Sequence, residues 1–453
     1  KEDAASASVW RDGSALRAEN PRCPYKDVRV TLRCSAPWVS AGTDARFLCG
    51  EDSGTLRRGF PALAGAFRLE KEAVMLLGTA DIPALLDIAR AREALAKTKA
   101  WWAQRVRGEK YSAAMPESVR RLAPWSAYAA LCCRVLGRGS LYQSGGAIGF
   151  RDQLQDSVNL LLISPVYARE RILDACRHQY IEGDVMHWWH PHPNGDKGVR
   201  TRCSDDLLWL VWALCEYVEA TGDTDICELE EYYVNSPLLD AAERDRYETP
   251  EPSGQKASVL DHAKSALECC IARGFGEHGL PLMGSGDWND GLDDSGGESL
   301  WLGWFFAHCA NRFAALLDKL CKPNASRYAE FARKTASAAD EGWNGQWYLR
   351  GYLADGGAMG GVERIDSIAQ SWAALSGMAE TLLCCMEAAV FPLIASMTSL
   401  CINTGLNYLL IFGKLGFPML GIQGAAIATL CARICEFIIC TVYALRDKRI
   451  RMQ

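Results

Sequence analysis

Residues 284–291 read GSGDWNDG, so Asp287 and Asp290 flank Trp288 and Asn289 between glycines. An indole face beside carboxylates suits a sugar ring, whose C–H face stacks on the indole while its hydroxyls bond to the acids. A carboxylic acid beside Trp can also hold its proton toward neutral pH and act as a general acid. The same residues equally fit an ordinary Asx-rich turn. A second constellation is GGAIGFRDQLQD (145–156), where Asp156 lies four residues beyond Asp152 and five beyond Arg151. In a helix these three can share a face, with Arg151 orienting carboxylates or an anion and the acids holding sugar hydroxyls. A surface Arg–Asp pair is the plainer alternative. Third comes EGDVMHWWHPHP (182–193), followed by GVRTRCSDD (198–206). Its three histidines invite a metal, yet no carboxylate sits at the spacing of a zinc motif, so no metal and no cofactor are expected. Trp188, Trp189, Arg200, Arg202, Asp205 and Asp206 fit a polar cleft with stacking platforms better.

These clusters need elements to hold them. Apolar residues recur at helical spacing in 81–107, 117–136, 166–180, 204–221, 256–274, 299–321 and 325–340. Pro116 sits just ahead of one of these helices, Ser204-Asp205 can cap another, and Gly137 and Gly274 follow two C-termini. Strand-like runs are confined to residues 1–80, notably Asp27–Cys34 and Ala73–Gly78. The loops between helices are long and rich in Gly, Asp, Trp and His, as loops that carry function are. Three of them converging on one end of a helical barrel would form a carbohydrate cleft.

Composition narrows the possibilities. With 453 residues, 49% hydrophobic and 23% charged, the chain can bury a large core and is neither disordered nor a disulfide-stapled scaffold. A net charge of −6 argues against a nucleic-acid partner held by phosphate neutralisation. The 19 cysteines are scattered, often as neighbours, and read as free thiols of a reducing compartment. No charged-then-apolar leader follows Lys1.

The composition breaks near residue 380. All 15 tryptophans lie between Trp10 and Trp372, and from Ala388 to Leu445 the only charged side chains are Lys414, Arg433 and Glu436. Two apolar stretches, 388–412 and 421–445, flank a Gly/Pro turn and precede the basic residues Arg446, Lys448, Arg449 and Arg451. That pattern predicts two transmembrane-like helices with the basic tail facing the cytoplasm, hence membrane association through 388–445. A pair of buried core helices is the alternative.

Six segments in order, YQSGGAIGFRDQLQD (142–156), EGDVMHWWHP (182–191), GVRTRCSDDLLWL (198–210), HGLPLMGSGDWNDG (278–291), GESLWLGWF (297–305) and IDSIAQSWAALSG (365–377), resemble glycoside hydrolase family 94. The likeness is closest to the C-terminal module of cyclic β-1,2-glucan synthases and to the β-glucan phosphorylases. It implies a mainly α fold: an incomplete (α/α)6 barrel over 116–380, preceded by a β-sandwich remnant (1–80) and a helical linker (81–115). It also implies a cytoplasmic enzyme that cleaves or builds β-gluco-oligosaccharides by inverting phosphorolysis, with inorganic phosphate as co-substrate. Asp290 would then be the general acid, Trp288 would line the acceptor side, and Arg151 and Asp156, with Asp152 beside them, would hold the donor glucose. A non-catalytic carbohydrate-binding or chain-length-controlling module of a membrane-associated glucan synthase is the alternative. Beyond 377 this chain has no match to the family's Gly-rich phosphate loop, from which impaired activity is expected. Residues 381–453, with LNYLLIFGKLGFPMLGIQGAAIATL (406–430), instead resemble a fragment of a multidrug and toxic compound extrusion transporter.

Overall fold

The computed structural model describes residues 8–12, 15–21, 29–44, 61–69, 71–79, 87–105, 117–137, 146–161, 163–240, 243–292, 296–379 and 397–446. The chain divides into two compact units, Lys1–Ala272 with Ser285–Leu292, and Arg273–Gly284 with Asp293–Gln453. The acidic turn 285–292 therefore belongs with the first unit. About half of the described residues are helical.

The first unit opens with β structure. Strands β1 (Ser8–Asp12), β2 (Ala15–Glu19), β3 (Arg29–Cys34) and β6 (Met75–Gly78) form an antiparallel sheet in the order 1-2-3-6, and β4 (Trp38–Asp44) pairs with β5 (Pro61–Phe67). The strands expected near 27–34 and 73–78 are β3 and β6; the other four are additional to that reading. Helices α1 (Ile88–Arg105) and α2 (Glu117–Tyr128) follow, the latter running into a π-helical segment, Ala129–Val135. Pro116, expected just ahead of α2, lies outside the described residues.

The site is positioned by a second sheet and the helices around it. Strands β7 (Ile148–Gly149), β8 (Met186–His190), β9 (Lys197–Thr201) and β11 (Asp245–Glu248) pair antiparallel in the order 11-9-8-7. Gly198 lets β8 and β9 close up, because a Cβ there would meet the Trp188 carbonyl oxygen at 2.2 Å. A separate ribbon pairs β10 (Glu230–Asn235) with β12 (Glu251–Ser258). Helices α3 (Phe150–Val158) and α4 (Pro165–Cys176) pack against the strands, α5 (Leu208–Thr221) packs on α3 and α4, and α6 (Val259–Arg273) meets β10 through His262. Helix α5 is apolar nearly all round and is accordingly buried. It ends at Gly222, whose φ of 75° takes the left-handed cap while its N–H donates to Val218. Its start departs from expectation. Ser204 and Asp205 cap nothing, since the helix begins at Leu208 with no side-chain cap, and both side chains are used elsewhere.

In the second unit α7 (Leu300–Lys319) is the central core element. Trp301, Trp304, Phe305, Phe306 and Phe313 are fully buried, and Ser299 Oγ caps the helix by accepting from Leu302 N–H. Helices α8 (Ala325–Asp340) and α9 (Ser367–Ser376) pack against it, and Asp366 caps α9. The short strands β13 (Glu298–Ser299) and β14 (Gly351–Tyr352) pair.

The expected membrane helices need correction. Among the described residues no helix is long and apolar enough to cross a membrane. The described part of α10 covers 397–412, about 24 Å at ~1.5 Å per residue against the ~30 Å of a hydrocarbon core. The stretch 388–396 lies outside the described residues. Helix α11 (Ile422–Arg446) carries Arg433 and Glu436 within its length, and a charge at the bilayer centre is costly.

Candidate active site

Arg151 occupies the middle of an acidic cluster. It sits in the first turn of α3, immediately after the short strand β7, and is only 8% exposed. Its Nη1 donates to both carboxylate oxygens of Asp205, at 3.3 and 3.4 Å, and to the Asp287 carbonyl at 3.1 Å. Its Nη2 donates to Asp290 Oδ1 at 2.6 Å, a charge-assisted bond. Asp206 Oδ1 lies 3.9 Å from Nη1. Burial works to lower the guanidinium's proton affinity, but Asp205, Asp206 and Asp290 outweigh it and hold the pKa above its ordinary value.

The acidic turn reaches this arginine through its backbone. Gly286 has φ 142°, a conformation that suits glycine, and its carbonyl accepts from both N–H and Oγ of Ser204 at 2.9 and 3.1 Å. Asp287 is fully buried, and its Oδ1 accepts from Asn289 N–H, closing an Asx turn around Trp288. Trp288 stands 48% exposed and the Asp290 side chain 60% exposed. The turn thus buries one acid and offers the indole and the other acid to solvent.

Two further side chains complete the cluster: His187, one of the three histidines whose clustering suggests a metal in the sequence, and Cys203, to which no motif points. His187, on β8, donates through Nδ1 to Asp206 Oδ2 at 2.7 Å, and its Nε2 lies 3.9 Å from Asp290 Oδ1. The Asp206 charge raises its pKa to about 9 against the lowering effect of burial. The Cys203 thiol donates to Asp205 Oδ1 at 3.2 Å; burial and the adjacent Asp206 and Asp205 carboxylates keep it protonated. Asp205 is fully buried, and burial pushes its pKa up to about 6 although Arg151 opposes this; Trp209 Nε1 donates to its Oδ2. The signal for His187 is long-range, an imidazole 19 residues ahead of the acid that binds it.

A cavity of about 310 Å³ opens beside the cluster, lined by His187, Trp188, Thr201, Cys203, Arg244 and Asp290 among others. His187, Cys203 and Asp290 bring ligand atoms within 4.8 Å of one another, as do Cys203, Asp205 and Asp206. Arg151 already supplies a cation to both groups, and the thiol retains its proton, so the donor set fits an arginine better than a metal.

The remaining expected residues lie elsewhere. Asp156 and Asp152 face Arg134 of the π-helical segment, at 2.9 and 3.7 Å, and burial raises the Asp156 pKa to about 6. Arg200 is fully buried beneath the β8–β9 sheet. It forms a two-pronged bond to Asp184 at 2.7 and 2.8 Å, a bond to Glu182 at 2.9 Å and a stack on Tyr180. Arg202 Nη2 donates to the carbonyls of Leu239 and Asp240. Trp189 is core, stacked on His178 at 3.7 Å and 2% exposed, whereas its neighbour Trp188 faces the cavity beside Tyr247. Alternation along β8 separates the pair. The structure therefore brings together Arg151, Asp205, Asp206, Asp287 and Asp290, with Trp188 at the cavity wall.

Comparison with known proteins adds four findings. Residues 101–390 match the glycosyl hydrolase 94 superfamily catalytic domain. Over 326 residues the chain is 38% identical to a cyclic β-(1,2)-glucan synthase, NdvB, of Rhizobium meliloti, covering 68% of this chain and 11% of that one. Over 329 residues it is 29% identical to an N,N'-diacetylchitobiose phosphorylase of Vibrio proteolyticus, covering 65% and 38% respectively. A separate 56-residue segment is 52% identical to a probable multidrug resistance protein, NorM, of Bacillus thuringiensis subsp. konkukian, 12% of each chain. The chain thus spans well under two thirds of each of these relatives.

Proposed function

The chain belongs to the glycosyl hydrolase 94 superfamily, and on that premise we propose that it catalyses inverting phosphorolysis of β-linked gluco-oligosaccharides, or the reverse synthesis, within an (α/α)6 architecture. Asp290 protonates the departing glycosidic oxygen while inorganic phosphate attacks the anomeric carbon from the opposite face. The C–O bond to phosphate forms as the glycosidic C–O bond breaks. The proton lost by Asp290 is restored from the monoprotonated sugar phosphate as product leaves. One catalytic carboxylate suffices, because phosphate replaces the water that a second carboxylate activates in an inverting hydrolase.

The observation that carries this reading is the ion pair between Arg151 and Asp290 at the wall of a sugar-sized cavity bearing Trp188, with Trp288 exposed two residues before the acid. Arg151 reaches the donor glucose by exchanging part of its carboxylate shell for hydroxyls. Asp152 and Asp156 hold the same sugar only if they release Arg134. The NdvB and phosphorylase relatives favour a β-linked glycan as substrate.

The alternative, a non-catalytic carbohydrate-binding module, is favoured by one feature. Residues beyond 377 carry no counterpart of the Gly-rich phosphate loop that the resemblance implies. Both readings are tested by incubating the chain with β-1,2-, β-1,3- and β-1,4-linked glucose disaccharides and phosphate and measuring glucose 1-phosphate. Phosphorolysis predicts release from one linkage that Asp290→Asn removes while oligosaccharide binding persists. Binding without any phosphate-dependent release supports the module, and an undiminished rate in Asp290→Asn refutes Asp290 as the acid.

A further inference from the structure

His187 is half-buried beside the proposed acid, yet the mechanism above does not use it. We propose that His187 is a positioning residue for Asp290: held through Nδ1 by Asp206, it presents Nε2 to the same Asp290 oxygen that Arg151 grips, leaving the acid's other oxygen to meet the substrate. The inference rests on the reading of Asp290 as the acid.

The geometry supplies each link. Asp206 is 1% exposed and its Oδ2 lies 2.7 Å from Nδ1, so the ring is fixed in orientation and its Nδ1 carries a proton. Nε2 then faces Asp290 Oδ1 at 3.9 Å, and the contacts to both cations converge on that single oxygen, with Arg151 Nη2 at 2.6 Å. Other charged or titratable groups near the ring are Arg151 on α3, Cys203 and Asp206 after β9, and Arg244 and Asp245 on the cavity wall at β11. Among these the Asp206 carboxylate dominates, and it raises the pKa of His187 to about 9, so at neutral pH both ring nitrogens carry protons. One hydrogen-bond donor, Arg151 Nη2, and one imidazolium held 3.9 Å away converge on the same carboxylate oxygen and restrict its rotation on an otherwise exposed turn. That is the support an exposed acid needs to deliver a proton along one line.

The test combines His187→Gln, Asp206→Asn and Asp290→Asn in the full chain. In phosphorolysis, His187→Gln is expected to lower kcat about 10-fold while KM changes less than about 2-fold, the split expected of a group acting on orientation in the transition state. The alkaline limb that deprotonation of His187 sets, near its pKa of about 9, should disappear from its pH–rate profile. Asp206→Asn should reproduce both effects. Nitrogen-15 NMR of the ring provides a readout independent of turnover: doubly protonated at pH 7 in the parent, titrating lower in Asp206→Asn, and lower by a smaller amount in Asp290→Asn. Wild-type kcat and pH profile in His187→Gln, or a ring titration that ignores Asp290→Asn, overturns the inference. If Asp290→Asn retains full rate, the assignment of the acid fails instead.

Discussion

Replacing Arg151 by Met removes one of two cations from a cluster in which Arg151 and His187 face the carboxylates of Asp205, Asp206 and Asp290. The two limbs of the arginine are unequal. The Asp290 side chain is 60% exposed, so its pair is screened and contributes at most about 1 kcal/mol to stability. The Asp205 carboxylate is fully buried, and stripping one partner from a buried pair costs about 3–5 kcal/mol. The second limb therefore dominates. Asp205 already has its pKa raised by burial to about 6, above an unfolded value near 4. A raised carboxylate penalises folding above its folded pKa, and the penalty is relieved as pH falls toward the unfolded value. Loss of Arg151 lifts the folded pKa further, so the deficit should be large at pH 7.5 and distinctly smaller at pH 5. Urea unfolding followed by tryptophan fluorescence at the two pH values measures it. A deficit under about 1 kcal/mol, or one equal at both pH values, would refute the assignment of Arg151 as counter-charge to buried acids. Arg151→Lys should recover only part of the loss, because one ammonium cannot span Asp205 and Asp290 as the planar fork does.

Asp206→Asn tests the histidine by the opposite sign. His187 has its pKa raised to about 9, so the stability it contributes is complete below the ordinary histidine range near 6.5 and lost as pH rises through 9; the variant should lack that alkaline slope in thermal melts between pH 6.5 and 9. Arg200→Met should destabilise the fold by about 3–5 kcal/mol, since Asp184 and Glu182 lose their partner beneath the sheet, without a selective change in sugar affinity at temperatures where the variant is folded. Trp288→Ala should do the reverse: as an exposed residue it should change unfolding by no more than about 0.5 kcal/mol, while weakening oligosaccharide binding, read by calorimetry, about 3- to 10-fold.

Helices were legible where period and length agreed. Windows such as 299–321 and 325–340 coincide closely with α7 and α8 because long amphipathic or wholly apolar runs have few alternatives. The strands β7, β8 and β9 were not legible: each has five residues or fewer, and tryptophans, histidines and glycines dilute their alternation. That sheet decides the fate of Trp188 and Trp189, since adjacent strand residues point to opposite faces. Ser204 and Asp205 look locally like a helix cap, but the buried arginine and the Gly286 carbonyl claim their side chains. Arg200 and Asp205 have the same motif address and different surroundings, one inside a structural ion network and one beside the acid. Spacing in sequence cannot separate them, because the partners that do so lie 16 residues away in one case and 54 in the other. The long apolar tail reads as membrane-crossing by composition, whereas the described helices there are too short or too interrupted by charge.

The central claim is that Asp290, paired with Arg151, drives an inversion in which phosphate is the nucleophile. Proton NMR of the anomeric signal during the reaction of a β-linked glucose disaccharide with inorganic phosphate tests it most directly. The account predicts α-glucose 1-phosphate as the first sugar product, formed only with phosphate and lost in Asp290→Asn. A β-configured product, or free glucose appearing at the same rate without phosphate, would contradict it.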